Sequence, residues 1–308
     1  MDFALTILGV NGAAPANGRF PTSQFLQIHH HHFLIDCGEG AQMRLNEFKL
    51  PRSRINHIFI SHLHGDHIFG LPGLLFSYAL TDRTKPLHIY SPAGLEAMVT
   101  ALLMPGGKLP YLIVFHEINT TSSELIFKNK ELTVHSIPLK HRIPTIGFLF
   151  KETSFEKNII PEKINELGLT VPQIVAAKKG KDVKLENGLM IKNEELTYPD
   201  YIPRSYAFIT DTLYQEEIVP YIKKVDLLYH ETTFCNDGID NALTTMHSTA
   251  EQAAKIAKMA TAGKLITGHY SSRYTNLQRF LEEACPVFPN TVLGLEGDKH
   301  ELERRRTQ

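Results

Sequence analysis

The sequence predicts an α/β fold in which β-sheets are covered by helices. Short runs rich in branched and aromatic residues alternate with stretches of helical spacing. Clusters of histidine and aspartate fall where such runs give way to loops, the usual place for a site in this fold class. One segment, from about Glu152 to Asp200, breaks the rhythm and reads as an insertion.

In order, "FALTIL", "QFLQI", "FLID" and "INHIFIS" are predicted strands, with the helix "EGAQMRLNEF" before the last of them. "IFGLPGLLFSYAL" is a helix or helical turn with a Gly-Pro break. The strands "PLHIYS", "YLIVFHEI", "ELTVHSIPL" and "TIGFLFK" follow. Beyond the insertion come the strands "YAFITD" and "VDLLYHE", the helix "TAEQAAKIAKMA", the strand "KLITGH" and the helix "NLQRFLEEA". Within the insertion, a short helix signal and a proline precede a lysine cluster and "VKLENGLMIK", a hairpin signal with Asn187-Gly188 at its turn. About fifty residues is too long for an ordinary connection.

A chain of 308 residues fits one large α/β domain carrying an insertion. With 43% hydrophobic and 21% charged residues there is material for a large core. The net charge of −1 gives no global field to steer a polyanion, so a nucleic-acid partner needs local patches. Three cysteines, Cys37, Cys235 and Cys285, with no CxxC, indicate neither a disulfide framework nor a thiolate zinc site. The opening "MDFALTILGV" lacks a basic n-region and reads as a strand rather than a signal peptide. No apolar run approaches the length of a membrane span, and the expectation is a soluble cytoplasmic protein.

The densest chemistry lies in "SHLHGDHIFG". His62 and His64, two apart on a loop leaving a strand, can reach one metal, and Asp66 and His67 can turn toward a second. Imidazole with carboxylate suits zinc and also accepts harder divalent ions. Further donors stand at later strand ends: His141 in "PLKHRIP", Asp211 in "FITDT" and His269 in "ITGHYSSRY". The competing reading is a polar loop whose histidines bond to backbone. The louder run, His29 to His32, reads as a turn between two strands, because successive strand residues point to opposite faces and cannot converge on one ion. His57, His88, His116, His135 and His300 are expected to be structural.

HxHGDH, followed by a histidine, an aspartate and a histidine at strand ends, resembles the metallo-β-lactamase superfamily. Within it the chain resembles the RNase Z family of tRNA 3′-processing endonucleases. The resemblance rests on "LIDCGEGAQMRL", "FISHLHGDHIFGLPGLL", "PLKHRIPTIGF", "AFITDT", "HETTF", "HSTAEQAAKIA" and "GHYSSRY". It implies a four-layer αββα sandwich, a single domain over residues 1–308, and an inserted projecting arm at about 152–200 that acts as an exosite for tRNA. It further implies two zinc ions per chain. His62, His64 and His141 would hold one, Asp66, His67 and His269 the other, and Asp211 would bridge them. Asp66 would also orient the attacking water or accept its proton. His247, in "MHSTAEQ", matches a catalytic histidine that is not a ligand. Glu231, in "HETTF", either pairs with His247 or is a plain surface glutamate. A homodimer and a precursor-tRNA substrate are likewise implied.

Ser271 and Arg273 suit phosphate oxygens, or are a helix cap and a surface arginine. Asp36 is expected to organise the histidine loop rather than to bind metal. In the insertion, "KKGKDVK" holds four lysines and one aspartate, among them Lys178, Lys179 and Lys181. That is a modest phosphate footprint within a segment of seven Lys and nine Asp/Glu, or simply solvated charge. The "LGVNGAAPANGR" opening and Val171-Pro172 depart from the family pattern. A second functional reading remains, a dinuclear zinc hydrolase of small phosphodiesters on the same scaffold.

Overall fold

The structure, a computed structural model, describes residues 2–103, 108–153, 157–199 and 201–307. Its contacts divide the chain into two compact units. One comprises Met1–Phe127, Val134–Phe150 and Ser205–Leu302, the other Lys128–Thr133, Lys151–Arg204 and Glu303–Gln308.

In the first unit the chain opens with β1 (Phe3–Gly9), β2 (Ser23–Ile28), β3 (His31–Cys37), α1 (Ala41–Glu47), β4 (Ile55–Phe59), the single turn α2 (Gly65–Ile68), α3 (Leu71–Leu80), β5 (Leu87–Ser91), α4 (Leu95–Leu103) and β6 (Ile113–Glu117). β1 to β3 are antiparallel neighbours, and β3 to β6 continue the sheet in parallel. Residues 104–107, between α4 and β6, lie outside the described residues. Then come β7 (Leu125–Lys128), β8 (Leu132–Leu139) and β9 (Thr145–Glu152). After the insertion the chain continues with β14 (Ser205–Ile209), β15 (Leu227–Glu231), α8 (Ile239–Thr245), α9 (Ala250–Ala260), β16 (Lys264–Gly268), α10 (Gln278–Ala284), β17 (Thr291–Leu293) and β18 (Lys299–Glu301), the numbers β10–β13 and α5–α7 belonging to the insertion. The second sheet has the order β17-β16-β15-β14-β9-β8-β7, and β18 returns to pair antiparallel with β1.

The strands are apolar on both faces because both faces are covered. On the outer face of the first sheet, Leu8, Leu34, Ile58 and Ile89 share a core with Leu45 of α1, Leu71, Leu74 and Leu75 of α3 and Leu95 of α4. Between the sheets the core is aromatic. Phe33 meets Phe150 at 5.6 Å between ring centroids, Phe59 meets Phe148 at 5.4 Å, and Phe208 stacks on Tyr229 at 5.2 Å. A polar contact crosses there as well, the Tyr206 hydroxyl donating to Gln24 Oε1. On the far side α9 buries Ala250, Ala253, Ala254, Ala257 and Ala260, small side chains that let it lie close to β15 and β16. Its start is fixed by a capping box in which the Thr249 hydroxyl accepts from Gln252 N–H and the Gln252 side chain accepts from Thr249 N–H. The αββα layering thus follows from which faces are apolar.

His57 stacks on His88 at 5.0 Å and His88 on His116 at 5.3 Å, across β4, β5 and β6. β2 ends at Ile28 and β3 begins at His31, so only His29 and His30 form the turn, with His29 at a left-handed φ of 54°, while His31 and His32 open β3, against the expectation that the whole run is a turn.

The second unit has its own small core. β10 (Lys157–Ile159) pairs antiparallel with β13 (Thr197–Pro199). Between them lie α5 (Pro161–Glu166), α6 (Val171–Lys178), the two-residue strands β11 (Val183–Lys184) and β12 (Met190–Ile191), and α7 (Asn193–Leu196). Leu169, Ala177, Val183, Ile191 and Leu196 are buried together. Pro172 starts α6 rather than breaking it, beside a Thr170–Gln173 capping box. The hairpin has a three-residue loop. Leu185 N–H reaches the Leu189 carbonyl at 2.8 Å, and Gly188 takes the left-handed φ of 86° that closes such a loop. Of the expected arm, residues 154–156 and 200 lie outside the described residues.

Candidate active site

Every donor of the site comes from a strand end of the first unit. β4 stops at Phe59, and the extended stretch after it delivers Ser61, His62 and His64 before α2 turns Asp66 and His67 inward. His141 follows β8, Asp211 follows β14, Glu231 closes β15, His247 sits between α8 and α9, and His269 follows β16 with a left-handed φ of 56°.

Seven of these side chains form two clusters that share one carboxylate. His64 Nδ1 is 3.0 Å from His62 Nε2 and 3.3 Å from His141 Nε2. Asp211 Oδ2 faces this group, 3.4 Å from His62 Nε2 and 3.7 Å from His141 Nε2. The other Asp211 oxygen, Oδ1, faces the second group, 3.3 Å from His67 Nε2 and 3.1 Å from His269 Nε2. Asp66 Oδ2 completes that group at 3.5 Å from His67 Nε2 and 3.4 Å from His269 Nε2. His67 Nε2 is fully buried and makes no hydrogen bond, which is costly for a polar atom unless it has another partner. A divalent ion is such a partner. Imidazole nitrogens and carboxylate oxygens, with no thiolate, fit zinc.

The polar atoms behind the donors fix their orientation. His67 Nδ1 is 2.7 Å from Asp36 Oδ2, and the same carboxylate accepts from Ser61 N–H at 2.7 Å and from its hydroxyl at 2.8 Å. Asp36 therefore ties the histidine loop together. His141 Nδ1 donates to the Met246 carbonyl at 3.0 Å, which leaves Nε2 for the cluster. His269 Nδ1 meets the Thr233 hydroxyl at 2.9 Å, and that hydroxyl donates to Glu231 Oε2 at 2.6 Å.

Charges follow from these contacts. Burial and the neighbouring His67 push His62 down to about 3, so it stays neutral with a free lone pair. Burial opposes ionisation of Asp66, but His67 and His269 beside it hold its carboxyl far below the usual carboxylate range. Asp211 is likewise held well below that range by His269, His67 and His62, against the effect of burial. Burial also opposes a charge on His247. Glu231 Oε1, 2.9 Å from His247 Nδ1, overrides it and raises that histidine to about 9. Glu231 is no surface residue: it is fully buried and also accepts from the N–H groups of Thr212 and Thr233 at 2.9 Å each. His247 also lies within 4.8 Å of the donor atoms of Asp211 and His269.

His64, Asp66, Asp211, Thr233, His247 and His269 line an open cavity of about 410 Å³. Ser271 and Arg273 line it too, as do Phe69 and Arg142. Sequence reasoning missed several participants. Thr233 lay in a quoted motif, but nothing marked it as the link between Glu231 and His269. The loop after β1 gave no signal. There Ala13, at a left-handed φ of 67°, donates its N–H to Asp66 Oδ2 at 2.7 Å. Gly12 lies so close to His269 that a Cβ would stand 2.7 Å from the ring. Lys178, Lys179 and Lys181 belong to the other unit, at the end of α6 and just beyond it, and form no ion pair there.

Two large sheets between helical layers, with these donors at the strand ends, define a protein of the metallo-β-lactamase fold. The YhfI protein of Bacillus subtilis, a solved metallo-β-lactamase fold protein, superposes with a TM-score of 0.69 at 18% identity over 97% of this chain and 99% of its own. Residues 3–160 match the family model described as Anti-Pycsar protein Apyc1. Ribonuclease Z of Bacteroides fragilis is 44% identical over 96% of this chain and 97% of its own length. Ribonuclease Z of Cytophaga hutchinsonii is 44% identical over 99% and 98%. Human tRNase Z, short form, is 26% identical with a TM-score of 0.71, over 96% of this chain and 98% of its own. The chain belongs to the Ribonuclease Z family and, through residues 3–160, to the family described as Anti-Pycsar protein Apyc1. The first likeness runs nearly end to end and the second covers the first half.

Proposed function

We propose that this chain removes the 3′ trailer from precursor tRNA, cutting after the discriminator nucleotide with two zinc ions per chain and leaving a 3′-hydroxyl on the tRNA. It is an endoribonuclease of tRNA 3′-end processing. The observation that carries the metal reading is Asp211, whose two oxygens face two separate donor clusters.

In this reading His62, His64 and His141 would hold one ion, Asp66, His67 and His269 the other, and Asp211 would serve both. Bound zinc supplies Lewis-acid stabilisation of phosphate charge and lowers the pKa of the attacking water. The protein does the rest. Asp66, ionised and oriented by Ala13 N–H, accepts the proton of the water that attacks phosphorus. The bond from phosphorus to the 3′ oxygen breaks, and the 5′-phosphate leaves with the trailer. His247, kept protonated by Glu231, gives its proton to that 3′ oxygen. Ser271 and Arg273 offer a hydroxyl and a guanidinium to phosphate oxygens.

The single-domain reading with an inserted arm at about 152–200 is part of the proposal. The arm is taken as the tRNA exosite, its unpaired Lys178, Lys179 and Lys181 meeting phosphates. The homodimer is supported by apolar residues at i, i+4 spacing on neighbouring helices: Phe76 and Leu80 on α3, Met98 and Leu102 on α4, all exposed. A cytoplasmic location is consistent with the described residues, where no helix is long and apolar enough to cross a membrane.

The test is incubation of the purified protein with a 3′-extended tRNA transcript and mapping of both new ends. A 3′-hydroxyl at the discriminator and a 5′-phosphate on the trailer are expected. If the transcript survives while small phosphodiesters are hydrolysed, the alternative, a zinc hydrolase of small phosphodiesters, replaces this reading.

A further inference from the structure

Phe69 is unusual for an aromatic residue beside a buried catalytic centre. It is 67% exposed, and its ring lines the cavity that holds Asp66, His247 and His269. It ends the same helical turn that begins at Gly65 and carries Asp66, with Phe69 N–H bonded to the Gly65 carbonyl at 2.9 Å. Gly65 has no side chain, and a Cβ there would stand 2.2 Å from the Phe69 ring. The ring therefore rests against the Gly65 backbone at the edge of the reacting centre instead of entering the core below α2 and α3.

The rest of the cavity wall says what would meet that ring. Arg142, next to His141, lines the cavity and forms no hydrogen bond or ion pair among the described residues. Arg273, on the opposite side in sequence, lines it as well, and its guanidinium is likewise unpaired. Two free guanidiniums around an exposed aromatic face are the combination by which proteins bind single-stranded nucleic acid, with cations along the phosphates and a ring under a base. An apolar ligand would leave both cations without a counter-charge. A bare phosphate would leave the ring uncovered.

Resting on the ribonuclease reading above, we propose that Phe69 is the stacking platform for the nucleobase adjoining the scissile phosphate, with Arg142 holding the backbone beside that nucleotide. Stacking is tolerant of base identity, because every base has a π-face. Phe69 thus positions the substrate without restricting which base precedes the trailer, and it selects an unpaired nucleotide over one buried in a helix.

The experiment uses full-length, metal-loaded protein and three precursor tRNA transcripts: one intact, one abasic just 5′ of the cut, and one abasic just 3′ of it. On the intact transcript Phe69→Ala should raise KM about tenfold, Phe69→Leu should match it, and Phe69→Trp should stay near wild type. On one of the two abasic transcripts the wild type should itself lose about tenfold, and Phe69→Ala should cost nothing further. The side on which this occurs identifies the base. An equal penalty for Phe69→Ala on all three transcripts overturns the proposal, as does a leucine variant that works as well as phenylalanine. A wild-type protein that fails to cut the intact transcript at the tRNA end refutes the ribonuclease reading instead. Metal content and melting temperature of each variant separate a folding defect from lost stacking, and the leucine and tryptophan variants decide the matter if the alanine variant does not fold. Arg142→Ala should weaken binding of all three transcripts equally and reduce its salt dependence.

Discussion

The two units of the chain are built to different standards. In the first, most strands run to five to eight residues and lead into side chains that are buried and hydrogen-bonded, such as Glu231 and Asp36 with three or more hydrogen bonds each. In the second, strands are two or three residues long, the core is five buried residues, and Val171, Val175, Leu189 and Met190 are exposed beside unpaired lysines. The contrast shows where each job can reside. Bond-breaking needs donors fixed to within about half an ångström, which demands a rigid, fully satisfied surround. In the reading proposed above, gripping a large polyanion falls to the second unit, whose lysines Lys178, Lys179 and Lys181 would meet phosphates.

If this division is right, damage to the first unit should abolish chemistry and damage to the second should only weaken binding. The largest effect is expected from Asp66→Ala, which removes a metal donor and the proton acceptor together. Cleavage in single-turnover assays should fall by at least about a thousandfold. Removing metal with a chelator should do the same and lower the melting temperature, because the clustered donors lose their partner, and zinc should restore both.

His247→Ala is next. About a hundredfold or more of the cleavage rate should be lost while elemental analysis finds two zinc ions, because the proposal gives His247 the acid's role, paired with Glu231, and no donor role. Loss of one zinc would move His247 into the donor set and blur the line between ligand and acid.

The second unit should respond differently. Replacing residues 160–196 by a short Gly-Ser linker keeps the β10–β13 ladder, whose last pair is Ile159 with Thr197. Zinc content and hydrolysis of a small chromogenic phosphodiester should persist. Binding of precursor tRNA should weaken at least tenfold, about 1.4 kcal/mol. Charge reversal of Lys178, Lys179 and Lys181 together should give a smaller loss, with a shallower dependence of binding on salt. Normal processing by the shortened protein would remove the reason for treating the segment as an exosite.

The same contrast governs what was legible in the sequence. The donors at strand ends could be read because metal chemistry restricts them to a few residue types, and because β4, β8, β14 and β16 are strongly apolar. The start of α9 was legible too, since the helical string "TAEQAAKIAKMA" opens at Thr249, its N-cap. By contrast β17 and β18 are three residues long at sheet edges, and α4 and α8 are helices of only nine and seven residues, so local pattern did not reveal them. Ala13 and Thr233 were illegible for another reason. Their roles rest on a backbone N–H and on a hydroxyl shared among Glu231, His247 and His269, and such roles are set by tertiary placement, not residue type. In the second unit the hairpin could be read from Asn187-Gly188, but its three-residue loop is set by pairing of Leu185 with Leu189.

The loop after β1 carries a consequence for biosynthesis. Ala13 N–H is fastened to Asp66, and Gly12 is pressed against His269, so the site joins the beginning of the chain to its last quarter. Synthesis proceeds from one end, and contacts this distant in sequence form only after the intervening chain has been made. While the nascent polypeptide is shorter than about residue 269, the second cluster lacks a ligand and Gly12 has nothing to pack on. A growing chain therefore holds its nuclease in an inert form until His269 has been made and can close on Gly12.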